Sequence, residues 1–128
     1  MKEPQTANHR YFMEIRERMK VYPLKDLCFC PTCSIGTWKP KPRECLENVA
    51  FWVEHNPQHI KVEGWLVSNE DILIKHAVVG DPKTGKLYDI TPQDHDGPPH
   101  SMKFVPHIGP PDFSDLPTIL NWAEFEPL

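Results

Sequence analysis

The feature that most constrains the fold is a pair of β-prone runs joined by a short link rich in turn-forming residues. The runs are DILIKHAVVG and KLYDITP, and the link DPKTG has Pro and Gly in turn positions. This pattern predicts an antiparallel hairpin. If residues 82–85 form a four-residue loop, Asp81 pairs with Lys86, and counting back brings His76 and Asp89 to one face as diagonal neighbours. A three- or five-residue loop would place these two side chains on opposite faces.

The segments outside the hairpin predict an α+β protein, in which a helix packs on a small antiparallel β-sheet. Apolar residues recur at helical spacing in 8–19 and again in 44–56, ECLENVAFWVEHN, which begins after two prolines. The runs HIKVEGWLV and MKFVP predict further strands, and the pattern from 113 to 125 predicts a terminal helix.

A single domain is expected over residues 1–128, because no linker is long enough to divide the chain. Its expected parts are an N-terminal helix in 1–23, a Cys- and Pro-rich loop in 24–43, a helix-and-strand core in 44–92, and a Pro-rich loop with a C-terminal helix in 93–128.

Charge and hydropathy exclude several functional classes. The net charge of −4 disfavours a general nucleic-acid-binding protein, which needs Lys and Arg gathered on one face. No apolar run approaches 18 residues, and the N-terminus MKEPQTANHR lacks the hydrophobic segment of a signal peptide. We therefore expect a cytoplasmic protein that binds neither nucleic acid nor membrane, with its four cysteines mainly reduced.

Cys45, His76 and Asp89 form the candidate catalytic set. Cys45 falls in the first turn of the predicted helix at 44–56, where unpaired N–H groups and the helix dipole favour a thiolate. His76 lies in a strand made mainly of Ile, Leu, Ala and Val and so needs a polar partner, which the predicted register supplies as Asp89. A carboxylate that orients an imidazole, which in turn takes the proton of a thiol, is the arrangement of a Cys-His-Asp acyl-transfer site.

The order of these motifs resembles the transglutaminase-like branch of the papain-like cysteine superfamily. Members of that branch have a Cys that opens a helix, a strand with Gly and an aromatic residue, a strand with His-Ala, and a strand with Asp before Thr or Pro. The corresponding segments here read ECLENVAFWV, IKVEGW, KHAVVGD and GKLYDITP. The resemblance implies a papain-like core and a hydrolase, deamidase or acyltransferase without a cofactor, acting on a protein or peptide through Cys45, His76 and Asp89.

A second interpretation concerns the cluster Cys28, Cys30 and Cys33, whose thiolates suit a structural zinc site. The spacing CxCxxC supplies three ligands, so the fourth would come from Cys45 or from a histidine such as His55 or His59. On this interpretation the protein is a non-enzymatic binding module with a zinc or partner site. A Cys45 thiolate held in a closed zinc site could not attack a substrate, so the two hypotheses compete for one residue.

Overall fold

Helices and strands are both prominent, which places the chain in the α+β class. The structure is a computed structural model that describes residues 7–21, 24–30, 34–69, 72–92, 103–109 and 112–121. Its elements in chain order are helix α1 (Ala7–Val21), strand β1 (Lys25–Phe29), helix α2 (Cys45–His55), strands β2 (Ile60–Asn69), β3 (Ile72–Asp81), β4 (Lys86–Asp89) and β5 (Lys103–Pro106), a 3-10 helix (Phe113–Asp115) and strand β6 (Ile119–Asn121). None of the helices in these ranges has the length and apolar character needed to cross a membrane.

Five of the strands close into a small barrel. The sheet has the order β2-β5-β1-β4-β3-β6, and an additional pairing of β2 with β3 closes the ring formed by the first five. β3 pairs along one edge with β2, whereas its other edge pairs with β4 at 79–81 and with β6 at 72–74. One apolar cluster takes side chains from every strand of the ring and therefore fills the barrel: Leu27, Val62, Leu66, Ile74, Val78, Leu87 and Phe104.

Gly64 lies at a position where the barrel wall leaves no room for a side chain. It faces His76 across the β2–β3 pairing. A Cβ atom at this position would lie 2.4 Å from the carbonyl oxygen of Val105 and 2.6 Å from the ring of Phe104. Glycine is therefore required here because strand β5 approaches β2 closely, and not because of the backbone dihedral angles.

The two helices cover separate outer faces of the barrel. The apolar stripe predicted for the N-terminal helix, Phe12, Ile15 and Met19, packs with Tyr11 in a cluster that also contains Trp65, Leu73, Val105, Phe113, Leu116 and Leu120. Helix α2 buries Val49 against Ala77, Val79 and Ile90, and Cys45 lies at the margin of this second cluster. The second face therefore brings the start of α2 against the hairpin formed by β3 and β4.

The predicted hairpin register is confirmed. Residues 82–85 form the turn, and the pairs Asp81–Lys86, Gly80–Leu87 and Val79–Tyr88 follow it. The predicted strands at β2 and β5 are also present, as is the helix that begins at Cys45. Continuing the alternation along the hairpin puts His76 and Asp89 on the face that includes Val78, which lines the barrel.

Three predictions are wrong. The sheet is mixed and not purely antiparallel, because β1 pairs in parallel with β4. Strand β1 itself lies within 24–43, which the sequence predicted as loop, and it is held by partners far along the chain, β4 and β5. The terminal helix is replaced over 113–121 by a 3-10 turn and strand β6, because the open edge of β3 captures this segment by pairing. The rest of the predicted helix lies outside the described residues.

Candidate active site

Cys45 is the first residue of helix α2, and its thiol is partly buried. The chain enters the helix through Arg43, which has a φ of 64°, and through Glu44, whose side chain makes no capping hydrogen bond. The first N–H groups of an α-helix have no acceptor within the helix, so this end presents donors and the positive end of the helix dipole. Both effects favour negative charge on the sulfur and on an oxygen bound beside it.

The thiol occupies a gap in the pairing of strand β3. Alternate N–H groups of β3 point toward the edge that β4 and β6 share, and between their two pairings that edge is open. The N–H of Lys75 donates to the carbonyl oxygen of Thr118 at 2.8 Å. The next N–H on the same edge, that of Ala77, donates to the sulfur of Cys45. The start of α2 thus supplies a hydrogen-bond acceptor where the sheet provides none.

His76 bridges the thiol and a carboxylate. Its Nε2 atom lies 3.0 Å from Oδ1 of Asp89, and its ring also forms a hydrogen bond with Cys45. Because Nε2 is engaged with the carboxylate, Nδ1 is the ring atom that remains for the sulfur. The sequence predicted that these three residues form one site, and the structure brings them into a hydrogen-bonded chain.

Asp89 is held rigidly by the backbone around it. Its side chain is 2% exposed, and Oδ1 also accepts a hydrogen bond from the N–H of Thr91 at 3.1 Å. The main-chain oxygen of Asp89 accepts from the N–H of Cys30 at 3.0 Å, which ties the end of β4 to the end of β1. A buried carboxylate fixed in this way orients the imidazole and stabilises its protonated form.

The electrostatics of the pair favour the charged forms of both groups. Burial would raise the pKa of the Cys45 thiol, but the hydrogen bond and charge of His76, with the N–H of Ala77, together lower that pKa below 9.0. Burial would likewise lower the pKa of His76, but its hydrogen bonds and charge interactions with Asp89 and Cys45 raise that pKa to about 9. The site is therefore suited to hold a thiolate beside an imidazolium.

Asn48 is a site-forming residue that the sequence reasoning missed. It is buried one turn after Cys45, and its side-chain amide donates to the carbonyl oxygen of Lys41 at 2.8 Å and to Oγ1 of Thr91 at 3.1 Å. Its Oδ1 atom accepts from the N–H of Lys41 at 3.0 Å. It thereby joins the loop before α2 to the segment after Asp89. The available signal in the sequence was that Asn48, a polar amide, lies among the core positions of an amphipathic helix.

The arrangement contains the kinds of group that acyl transfer uses. Acyl transfer needs a nucleophile such as a thiol, an imidazole that carries a proton, a carboxylate that orients it, and donors for an oxyanion such as those at a helix start. The second oxygen of Asp89, Oδ2, is buried without a hydrogen-bond partner among the described residues. The hydrogen bonds from the imidazole and from the backbone of Thr91 both go to Oδ1.

The residues of the alternative zinc site are distributed differently. Cys28 is exposed and free on β1, Cys30 is disulfide-bonded, and Cys33 lies outside the described residues. The expectation of reduced cysteines is therefore wrong for Cys30. A sulfur in a disulfide is not a thiolate ligand. His55 stacks on Phe51, and His59 accepts a hydrogen bond from Trp52. In the part of the chain that the structure describes, no three His, Cys, Asp or Glu side chains gather as metal ligands do.

Three comparisons with known proteins were made, and none of them matches this chain. No protein-family model matches this chain. Searches of curated proteins and of solved structures likewise find no match. The hydrogen-bonded chain from Cys45 through His76 to Asp89 is therefore the feature that indicates a function.

Proposed function

We propose that the protein is a cysteine-dependent enzyme that acts on amide or acyl bonds of a protein or peptide substrate. The observation that carries the proposal is the continuous connection from the Cys45 thiol through His76 to Asp89, with an Nε2–Oδ1 distance of 3.0 Å. A cysteine that only packs does not need to lie at a helix N-terminus, and a histidine that only packs does not need a buried carboxylate beside it. Their combination at one point favours catalysis over a packing role.

The proposed reaction has two halves. The thiolate of Cys45 attacks the carbonyl carbon of the substrate, so that a C–S bond forms and the carbonyl oxygen gains negative charge beside the first turn of α2. The imidazolium of His76 gives its Nδ1 proton to the leaving nitrogen or oxygen as the bond to carbon breaks, which leaves a thioester. Water or an amine then attacks the thioester while Nδ1 takes its proton, and the product departs as the Cys45 thiolate and the His76 imidazolium re-form.

We propose further that the chain belongs to the transglutaminase-like branch of the papain-like superfamily. What supports this is the chain order of a helix that opens on Cys45, a strand with His76 followed by Ala77, and a strand that ends at Asp89, together with a barrel packed against the Cys helix. Hydrolysis, deamidation and transfer share the same thioester, so the acceptor that attacks it decides among them. The proposed location is the cytoplasm, where most thiols stay reduced, and the disulfide at Cys30 is an exception to that rule.

The test is to trap the acyl-enzyme. Wild-type protein is incubated with p-nitrophenyl acetate, p-nitrophenol release is followed, and the acetylated residue is identified by peptide mass mapping. We expect acetyl on Cys45 and turnover that is lost in Cys45→Ala and in His76→Ala. Cys28→Ala is the matched control, because it removes an exposed free thiol outside the site. Acetyl on Cys28 alone, or turnover that survives Cys45→Ala in a folded protein, would contradict the proposal.

A metal measurement addresses the competing hypothesis. Elemental analysis of the purified protein gives the amount of zinc per chain, and Cys45→Ser shows whether Cys45 helps to hold it. One zinc per chain that is lost on Cys45→Ser would contradict the enzyme proposal, because a closed zinc site uses the thiolate. The proposal expects Cys45→Ser to change acylation and to leave any metal content unchanged.

A further inference from the structure

A second feature of the face covered by α2 is an apolar pocket of about 230 Å³. It is lined by Cys30, Trp52, His59, Val79, Tyr88 and Ile90. No carboxylate, amine or guanidinium group is among the lining residues, so the wall offers no ionic partner. The volume lies below the roughly 300–1,000 Å³ of pockets that hold a whole drug-sized ligand or cofactor. It suits a single large side chain.

The pocket belongs to the same cluster as the candidate nucleophile. Cys45 and five of the pocket residues pack together around Val49 and Ala77. Trp52 follows Cys45 by seven residues on the same face of α2, which corresponds to about 10 Å along the helix. Val79 follows Ala77, which holds the sulfur, by two residues of β3, or about 7 Å. An extended peptide spans these distances in two or three residues.

The walls of the pocket are held in a fixed arrangement of rings. The indole N–H of Trp52 donates to Nδ1 of His59 at 3.0 Å, and the two rings lie nearly parallel, 9° apart, with centroids separated by 6.3 Å. The ring of Tyr88 lies 6.5 Å from that of His59 at 40°. Because an indole N–H can only donate, Nδ1 is the acceptor and His59 carries its proton on Nε2. A neutral, ring-lined pocket of this kind favours a flat apolar occupant.

We propose that this pocket binds an aromatic side chain of the peptide substrate, two or three residues away from the acyl group that Cys45 attacks. This inference rests on the proposed function. The occupant is aromatic because the walls are rings and because the pocket lacks a charged partner. The occupant is part of the substrate because the pocket and the thiol share one face of α2 at a separation that a short extended peptide spans.

The activity test uses peptides that carry one glutamate γ-p-nitrophenyl ester as an activated acyl group. Phe is placed in turn at each of the three positions on either side of the ester, and each peptide is compared with its Ala counterpart. We expect kcat/KM to rise by about ten- to a hundredfold for Phe two or three residues from the ester on one side, as burial of an aromatic side chain provides. A Phe/Ala ratio near one at all six positions would overturn the inference.

Variants assign the preference to the pocket. Trp52→Leu should bring the Phe/Ala ratio toward one, and His59→Gln serves if Trp52→Leu does not fold. Phe51→Ala is the matched control, because this neighbouring ring on α2 stacks on Trp38, with centroids 4.4 Å apart, and does not line the pocket. A ratio unchanged in folded Trp52→Leu or His59→Gln, or lowered equally by Phe51→Ala, would place the preference elsewhere and refute the pocket.

A binding test that needs no catalysis separates this inference from the proposed function. N-acetyl-phenylalaninamide and N-acetyl-alaninamide are titrated into the full-length Cys45→Ser protein while the indole N–H resonance of Trp52 is followed by NMR. We expect a saturable shift with the phenylalanine probe alone, weakened in His59→Gln. No shift at Trp52 would overturn the pocket assignment. If the shift is saturable but p-nitrophenyl acetate does not acylate Cys45 in the wild-type protein, the pocket remains an aromatic-binding site and the enzyme proposal is refuted instead.

Discussion

Replacement of His76 by Gln should reverse the ionisation behaviour of Cys45. In the wild-type protein the hydrogen bond and charge of His76 outweigh burial and lower the pKa of the thiol. Without the imidazolium, two effects that raise this pKa remain, burial and the charge of Asp89, against one that lowers it, the N–H of Ala77. The pKa of Cys45 should therefore move from below the ordinary thiol value of 9.0 to above it.

The net change in the pKa of His76 gives a scale for this effect. Its rise from 6.5 to about 9 corresponds to about 3 kcal/mol in favour of the imidazolium, at about 1.4 kcal/mol for each pH unit. A change of the same size in the pKa of the thiol would alter the ionisation of Cys45 by about a few hundredfold. A thiolate of lower pKa is also less nucleophilic, with a Brønsted coefficient of about 0.4–0.5, so the alkylation rate near pH 7 should change by on the order of tenfold.

The assay is iodoacetamide alkylation of Cys45 as a function of pH, quantified by peptide mapping so that Cys28 and Cys45 are read separately. Each curve is normalised to its own rate at high pH, and the chain unfolded in urea supplies the reference thiol. At pH 6 an ordinary thiol with a pKa of 9.0 is ionised in about one molecule in a thousand, which leaves wide room for the wild-type curve to lie above the reference.

The expected order of normalised rates below pH 8 is wild type, then unfolded chain, then His76→Gln. A thermal melt of His76→Gln establishes that the variant is folded before its rates are compared. If the curves of folded His76→Gln and wild type coincide, or if the wild-type curve coincides with that of the unfolded chain, His76 does not control the thiol and the reasoning fails.

Local sequence predicted the geometry between His76 and Asp89 because a hairpin is specified by adjacent residues. The turn at 82–85 fixes the register, and the register fixes which side chains share a face. The start of α2 was predictable for the same reason, since two prolines precede Cys45 and apolar residues at helical spacing follow it. The predicted part of the site thus depends on contacts that are short-range in sequence, within β3 and β4 and at the helix start.

Long-range pairing explains what the sequence did not reveal. Strand β1 gains its hydrogen bonds from β4 and β5, more than fifty residues away, so no local period marks it. The segment 116–121 has apolar spacing that suits a helix, yet Leu120 pairs with Leu73 on β3 because that edge is open. Asn48 acquires its role only when the loop before α2 meets Thr91. In each case tertiary contacts override or create the local preference.

Three further predictions follow from particular contacts. Asn48→Ala should lower the free energy of unfolding by about 1–3 kcal/mol, seen in urea titration, because it leaves the buried hydroxyl of Thr91 without its donor; an unchanged midpoint would contradict this. Gly64→Ala should lower the melting temperature by more than Asn48→Ala or prevent folding, because its Cβ would meet the carbonyl oxygen of Val105 at 2.4 Å; a wild-type melt would refute this. kcat/KM for a peptide p-nitroanilide, whose leaving nitrogen needs a proton, should fall as the pH rises through about 9, because His76, whose pKa is raised, carries its proton only below that pH; a rate still rising at pH 10 would exclude its role as an acid.

The gap in the pairing of β3 connects fold and site, and it determines how the site should be perturbed. An N–H group in a sheet must find an acceptor, and at Ala77 that acceptor is the sulfur of Cys45, since β4 has already diverged and β6 pairs further along the strand. Removal of the sulfur in Cys45→Ala therefore removes a nucleophile and also leaves a backbone donor unpaired. Cys45→Ser retains an acceptor at nearly the same place, so a loss of activity shared by both variants isolates the chemistry of the thiolate from the hydrogen bond that holds it.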